Sequence, residues 1–229
     1  MIKVENMETW GFEHAVRGMR NPLNSWNKSD SFVCPNSHDF NDCTSNTEKC
    51  PRKDEYDFEK PVFCIGKNDL DLMRRLYKAG PEHRKYLRQI FVSMDIIAPL
   101  YWWKEADQYR IGVTTNSCST MHKIAAKKFE LDDFSHEHID GTLSYSSLIQ
   151  TIDTLNAARD IYLATKNKDF WWQMIQLLPT SYNQKRTITM NYENIITMIK
   201  QRSGHKLDEW NTLVDIFKTL PYINQIMEE

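Results

Sequence analysis

Two stretches of the chain concentrate residues able to hold or polarise an anionic ligand. The first runs from Arg110 to Lys123 as RIGVTTNSCSTMHK. Its small hydroxyl residues, its glycine and the basic pair His122 and Lys123 suit phosphate, which backbone and hydroxyl donors bind well. It carries no glycine-rich nucleotide fingerprint. Cys118 in this run is a candidate nucleophile, but a reactive thiol needs a base or cation beside it, and a lone cysteine is more often buried and inert. The second stretch is a helix headed by Asn191. A step of 100° per residue puts Asn191, Asn194, Met198 and Arg202 in one sector, bordered by Ile195 and Ile199. Arg202 then lies against the negative end of the helix dipole, with His205 one turn later. A helix edge turned to solvent accounts for this stripe without any chemistry.

A third group is Cys34, Cys43 and Cys50, with His38 and Cys64 nearby. These are zinc-competent types, yet no spacing makes the C-x2-C knuckle that closes such sites. Five cysteines, an odd number, without an export leader fit free thiols in a polar insertion better than a disulfide framework or a metal centre.

The elements that must position these residues follow from periodicity. Residues 24–60 are polar and aperiodic and read as a long loop, with a surface insertion at about 30–60. Asn68 is a plausible N-cap for a helix that ends at Gly80-Pro81. Ile90, Val92, Met94 and Ile96 alternate, predicting a half-buried strand that stops at Pro99. A helix over LYWWKEADQY comes next and opens into a loop near Arg110. The pattern then predicts a short helix over 121–129, a long one over 146–166, and another over 169–178 that stops at Pro179. A short strand TITM, a helix over 191–202 and a last helix over 207–220 complete it. The mixture predicts an α/β or α+β domain, a central sheet flanked by helices, with 1–229 as one unit.

With 41% hydrophobic and 26% charged residues, a formal charge of −2 and seven tryptophans, the chain should fold unaided and has no overall drive toward nucleic acid or acidic lipid. No stretch approaches the roughly 20 apolar residues of a membrane span. A soluble, cytoplasmic protein is expected.

The order His83-Arg84-Lys85, an alternating strand ending in Ala98-Pro99, and a helix running into Gln108-Tyr109-Arg110-Ile111 resembles the flavin-dependent thymidylate synthases of the ThyX type. So does the later block of Leu178-Pro179, a short strand, Asn191, Arg202, His205 and Trp210. The spacing from His83 through Pro99 to Arg110 fits that family without a gap, and Cys118 stands at a family serine. Several letters differ. Gln108 and Tyr109 replace an Arg and a His, Thr120 and Glu193 each replace an Arg, Glu105 replaces a nucleotide-contacting Gln, and Ile175 stands where a further Arg is expected.

The resemblance implies reductive methylation of dUMP, or a related pyrimidine nucleotide, to dTMP. It also implies FAD, NADPH, methylenetetrahydrofolate and a homotetramer. Cofactor contacts would come from His83, Lys85, Arg110, Ile111, Asn191 and His205, and nucleotide contacts from Glu105, Asn116, Ser117, Cys118 and Arg202. Arg202 would polarise the uracil ring, as a planar, permanently charged donor can. The losses among the motif cations equally suit a second expectation, a catalytically degenerate nucleotide-binding or assembly protein on the same fold.

Overall fold

The structure, a computed structural model, describes residues 2–34, 62–139, 141 and 143–228. In chain order these form β1 (Lys3–Trp10), α1 (Phe12–Arg20), β2 (Phe32–Cys34), β3 (Val62–Cys64), α2 (Lys67–Lys78), β4 (Phe91–Pro99), α3 (Leu100–Ala106), β5 (Thr114–Ser117) and α4 (Thr120–Lys123). They continue with α5 (Leu143–Thr165), α6 (Lys168–Leu177), β6 (Asn183–Asn191), α7 (Tyr192–Arg202), α8 (Asp208–Lys218) and α9 (Ile223–Met227). This is the mixed architecture expected, helices with a four-stranded sheet ordered β1-β4-β6-β5. The chain separates into two compact units.

The first unit draws on Met1–Met7, Ser93–Thr189 and Arg202–Val214. β5 pairs antiparallel with β6, Thr114 opposite Thr189 and Ser117 opposite Arg186. Side chains reinforce the sheet. Asp95 of β4 accepts from Asn6 of β1 at 2.9 Å and from Thr187 of β6 at 2.6 Å, and its ion pair with Lys185 spans 3.1 Å. α5 packs on α6 with Leu148, Ile152, Leu155 and Ala158 directed at Ile124, Phe129, Phe134 and Met174. Those α5 positions recur every three or four residues, the spacing that lines one helix face.

The helix expected over 121–129 shrinks to Thr120–Lys123. Asn156 of α5 holds the far end of that span: its side chain accepts from the Phe129 amide and donates to the Phe129 carbonyl, both at 2.9 Å. The Phe129 amide held that way is not left for a helical ladder. The TITM strand is longer than expected and fills Asn183–Asn191.

The second unit draws on Glu8–Val92, Met190–Gln201 and Asp215–Glu229. Phe12, Ala15, Val16 and Met19 form the buried face of α1. The helix starts at Gly11, whose φ of 96° and a hypothetical Cβ only 2.1 Å from the Gln89 carbonyl oxygen leave glycine as the residue that fits. At the end of α1 the buried Arg20 meets the fully buried Asp69 of α2 at 2.5 Å. Asp69 also accepts from the hydroxyls of Ser29 and Ser31, each at 2.7 Å, and from the amides of Asp30 and Ser31, each at 3.1 Å. Burial alone would raise the Asp69 pKa, but the hydroxyls of Ser31 and Ser29 together with Arg20 reverse this and hold it below its ordinary value.

Asn68 does not cap α2. The helix begins two residues earlier, at Lys67 with Gly66 as its N-cap, and the Asp30 carboxylate accepts from the amides of Asn68 at 2.9 Å and Asp69 at 3.1 Å. An acidic acceptor at a helix N-terminus satisfies orphan donors and suits the dipole. Residues 24–34 are not one open loop either, since Trp26–Lys28 makes a 3-10 turn and Phe32–Cys34 pairs antiparallel with Val62–Cys64. Cys43, Cys50 and His38 lie outside the described residues. Among the described residues no cluster suits a metal ion, and no helix is long and apolar enough to cross a membrane.

Candidate functional site

In the first unit, α3 carries Tyr101, Trp102, Trp103 and Glu105. Pro99 halts the strand, and the first helical amides, which have no partner within α3, donate to loop carbonyls: Leu100 to Tyr182 and Tyr101 to Thr180, each at 3.0 Å. Trp102 and Trp103 turn inward and are buried. Glu105 in the last turn of α3 and Tyr109 just beyond it both reach Arg202, which with His205 is presented across the turn that follows α7.

These four residues converge with Trp210. Arg202 donates through Nε to Tyr109 Oη and through Nη1 to Glu105 Oε2, both at 2.9 Å. Its guanidinium carbon lies 4.7 Å from the centre of the Trp210 ring and 5.4 Å from that of Tyr109. A planar cation between two rings is held in one orientation, which a lysine would not be. Trp210 Nε1 donates to the same Glu105 oxygen at 3.0 Å. His205 Nδ1 accepts from the Leu207 amide at 3.1 Å. The ring proton therefore sits on Nε2 and points toward Glu105 Oε2, 3.5 Å away. The 3.2 Å approach of Arg202 Nη1 to that nitrogen is thus a contact between two donors rather than a hydrogen bond.

Around this group, Tyr101 donates to the buried Glu209 carboxylate. Burial, then that hydrogen bond, pushes the Tyr101 phenol up to about 12. Arg186 stacks 4.2 Å from the Trp103 ring centre and is bound to Asp107 at 2.7 Å and to Gln184 at 2.9 Å.

The second unit carries a different polar group. After α2, the turn holding His83, Arg84, Lys85 and Arg88 is rich in cations. Glu193 bridges Arg84 Nε at 2.8 Å and Arg88 Nε at 3.1 Å, and Arg84 also lies 5.6 Å from the Tyr77 ring centre. His83 and Lys85 are exposed. Asn191 and Asn194 cap the start of α7 reciprocally, each side-chain oxygen accepting the other's amide, at 3.1 and 3.3 Å.

No protein-family model matches the chain, and no curated protein matches it by sequence. Solved structures do. A flavin-dependent thymidylate synthase ThyX from Helicobacter pylori, complexed with FAD and dUMP, superposes with a TM-score of 0.64 over 99% of this chain and 98% of its own, at 16% identity. A second structure of ThyX from the same organism, with FAD and dUMP, gives 0.63 over 100% and 98% at 15% identity. The fold is ThyX-like. A UMP/dUMP methylase, PolB from Streptomyces cacaoi bound with 5-Br dUMP, follows at 0.54 over 96% and 89%, at 13% identity.

On this ThyX-like fold the residues singled out by sequence divide into three places. Arg202, His205 and Glu105 meet in one cluster. His83, Lys85 and Asn191 belong to the second unit. Asn116, Ser117 and Cys118 close β5 on an exposed edge, where Gln184 Nε2 pins the turn by donating to the Cys118 carbonyl and the Thr120 hydroxyl, at 2.9 and 3.0 Å. Cys118 is an exposed free thiol rather than a buried one. Arg110 is exposed and folds back on the Asp107 carbonyl at 3.0 Å, and Ile111 is 90% exposed.

The stripe Asn191, Asn194, Met198 and Arg202 does not face solvent as a simple helix edge. Asn191 and Met198 are buried, and Asn194 and Arg202 are half-buried. Spacing did not single out Arg186, Arg84 or Arg88, because each owes its setting to a partner far off in sequence. Three residues that depart from the ThyX pattern also find a structural logic. Glu105 and Tyr109 both bond to Arg202, and Glu193 pairs with two arginines.

Proposed function

We propose that the chain is a flavin-dependent methylating enzyme that converts dUMP, or a related pyrimidine nucleotide, to its 5-methyl form. In the overall exchange the uracil C5–H becomes C5–CH3. The carbon comes from methylenetetrahydrofolate, the reducing hydride from NADPH and one proton from solvent, leaving tetrahydrofolate and NADP+. Bound FAD would supply the redox carrier between these partners. The setting of Arg202 carries the reading: a guanidinium fixed between Tyr109 and Trp210, with Nη2 unpartnered among the described residues, is preorganised to meet a carbonyl on which negative charge develops.

The residues present suit a diphosphate-bearing cofactor in charge. On the 83–88 turn Arg84, Lys85 and Arg88 outnumber Glu193, and His83 and Lys85 stand exposed beside them. Asn191 spends its side-chain oxygen on Asn194 and keeps its amide nitrogen for a ligand. Ile111, an apolar side chain left almost wholly in water, suits cover by a flat ring. Assembly as a homotetramer belongs to the same reading.

The test is direct. Freshly purified protein should be yellow, should gain thermal stability from FAD and from dUMP, since ligands of the native state stabilise it, and should oxidise NADPH in a folate-dependent manner. A colourless preparation with no gain in melting temperature from FAD plus dUMP sinks the proposal.

A further inference from the structure

Glu105 has two oxygens of unequal availability. Oε2 is taken by Arg202 Nη1 at 2.9 Å and Trp210 Nε1 at 3.0 Å, with His205 Nε2 at 3.5 Å. Oε1 has no partner among the described residues, and 34% of the side chain is exposed. Arg202 spends Nε on Tyr109 and Nη1 on Glu105, while Nη2 has no partner among the described residues. The cluster thus offers one free acceptor and one free donor on two groups already fixed to each other.

That pairing constrains what can dock. A carboxylate repels a phosphate group at this distance range, so the base end of a nucleotide, not its phosphate, suits the pair. A uracil edge carries one N–H, at N3, flanked by two carbonyl oxygens. N3–H to Oε1 and the adjacent carbonyl to Nη2 satisfies both groups together. We propose that Glu105 is a specificity-determining residue that accepts the uracil N3–H while Arg202 holds the neighbouring carbonyl. An amide at this position can present its oxygen or its nitrogen, whereas a carboxylate only accepts. An edge without the N–H then sets two acceptors face to face, and such a mismatch leaves a polar group unpaired. The inference rests on the uridylate-methylating reading above and adds to it the residue that selects the base.

The experiment is calorimetric titration of the FAD-supplemented full chain with dUMP and with N3-methyl-dUMP, repeated for Glu105→Gln and Glu105→Ala. Wild type should bind dUMP about ten- to a hundred-fold more tightly than the methylated analogue, the range for a hydrogen bond to a charged group. Glu105→Gln, which keeps an acceptor, should retain part of that preference. Glu105→Ala, with neither acceptor nor bulk, should discriminate by less than about threefold.

Wild type that binds both nucleotides equally overturns the role of Glu105 and leaves the uridylate reading standing. A preference undiminished in Glu105→Ala also overturns it, since something other than Glu105 then rejects the methyl group. Wild type that binds neither nucleotide overturns the uridylate reading itself. Should Glu105→Ala fail to fold, the wild-type pair and Glu105→Gln still decide the matter.

Discussion

Replacing Arg202 by lysine separates a structural role from a chemical one. Lysine keeps the charge beside Glu105 but loses the Nε bond to Tyr109, now 2.9 Å, and the flat stacking against Trp210, now 4.7 Å. A hydrogen bond of this kind contributes about 0.5–1.5 kcal/mol and a partly exposed cation–π contact about 0.5–1 kcal/mol, so the variant should lose about 1–2.5 kcal/mol of stability. For a chain of this size each kcal/mol lowers the melting temperature by about 2–4 °C, giving a drop of about 2–10 °C. Against a typical reserve of about 5–15 kcal/mol that loss leaves the chain folded at assay temperature.

Turnover should respond on a different scale. Removing one preorganised donor from a site of developing negative charge costs about a hundred- to a thousand-fold in kcat. The assay follows folate-dependent NADPH oxidation, with kcat and KM resolved separately and melting recorded in parallel. A kcat that stays within about threefold of wild type, with the melting temperature lowered as calculated, would refute the polarising role, because the interaction lost would then serve stability alone.

Three further outcomes are expected. Asp69→Asn leaves the buried Arg20 without its charged partner and should cost about 3–5 kcal/mol in urea unfolding; a loss under about 1 kcal/mol would contradict the assigned pairing. Because the Asp69 pKa is lowered, its stabilisation is complete above the ordinary value of 3.8 and disappears as pH falls through the folded-state value, so the Asp69→Asn deficit should shrink on acidification. Tyr101→Phe takes the phenolic donor from Glu209, which is only 7% exposed, and should cost about 1–3 kcal/mol by the same measurement. The Asp95 carboxyl, held low by Thr187 first and then by Asn6 and Lys185, should titrate at about 2 in a carbon NMR experiment; its contribution is full above 3.8 and fades toward about 2, and a midpoint at the ordinary value would show those bonds are not made.

What the sequence disclosed depends on burial. β4 was legible because Val92, Met94, Ile96 and Ala98 alternate with less buried residues along its whole length. β1 and β5 were not, since both lie at the edges of the sheet and expose mostly polar side chains, so no apolar period marks them. The boundaries of α2 and α4 went astray where distant polar groups, Asp30 and Asn156, took over backbone hydrogen bonds. At the site, spacing brought out Arg202 and His205 because one turn of chain joins them. The partnership of Arg202 with Glu105 and Tyr109 spans 97 and 93 residues, a separation over which local pattern carries no information.

The indoles near Arg202 give the cluster an optical signature of its own. Trp102 lies 4.7 Å from Trp103 and 4.8 Å from Trp210, ring centre to ring centre, so the near-ultraviolet circular dichroism of these rings depends on how they are held against one another. Trp210 also sits under a guanidinium, so any group that draws Arg202 away changes the field on that chromophore. Displacement of Arg202 should therefore change the near-ultraviolet signal of Trp210 without a label, separately from loss of helix.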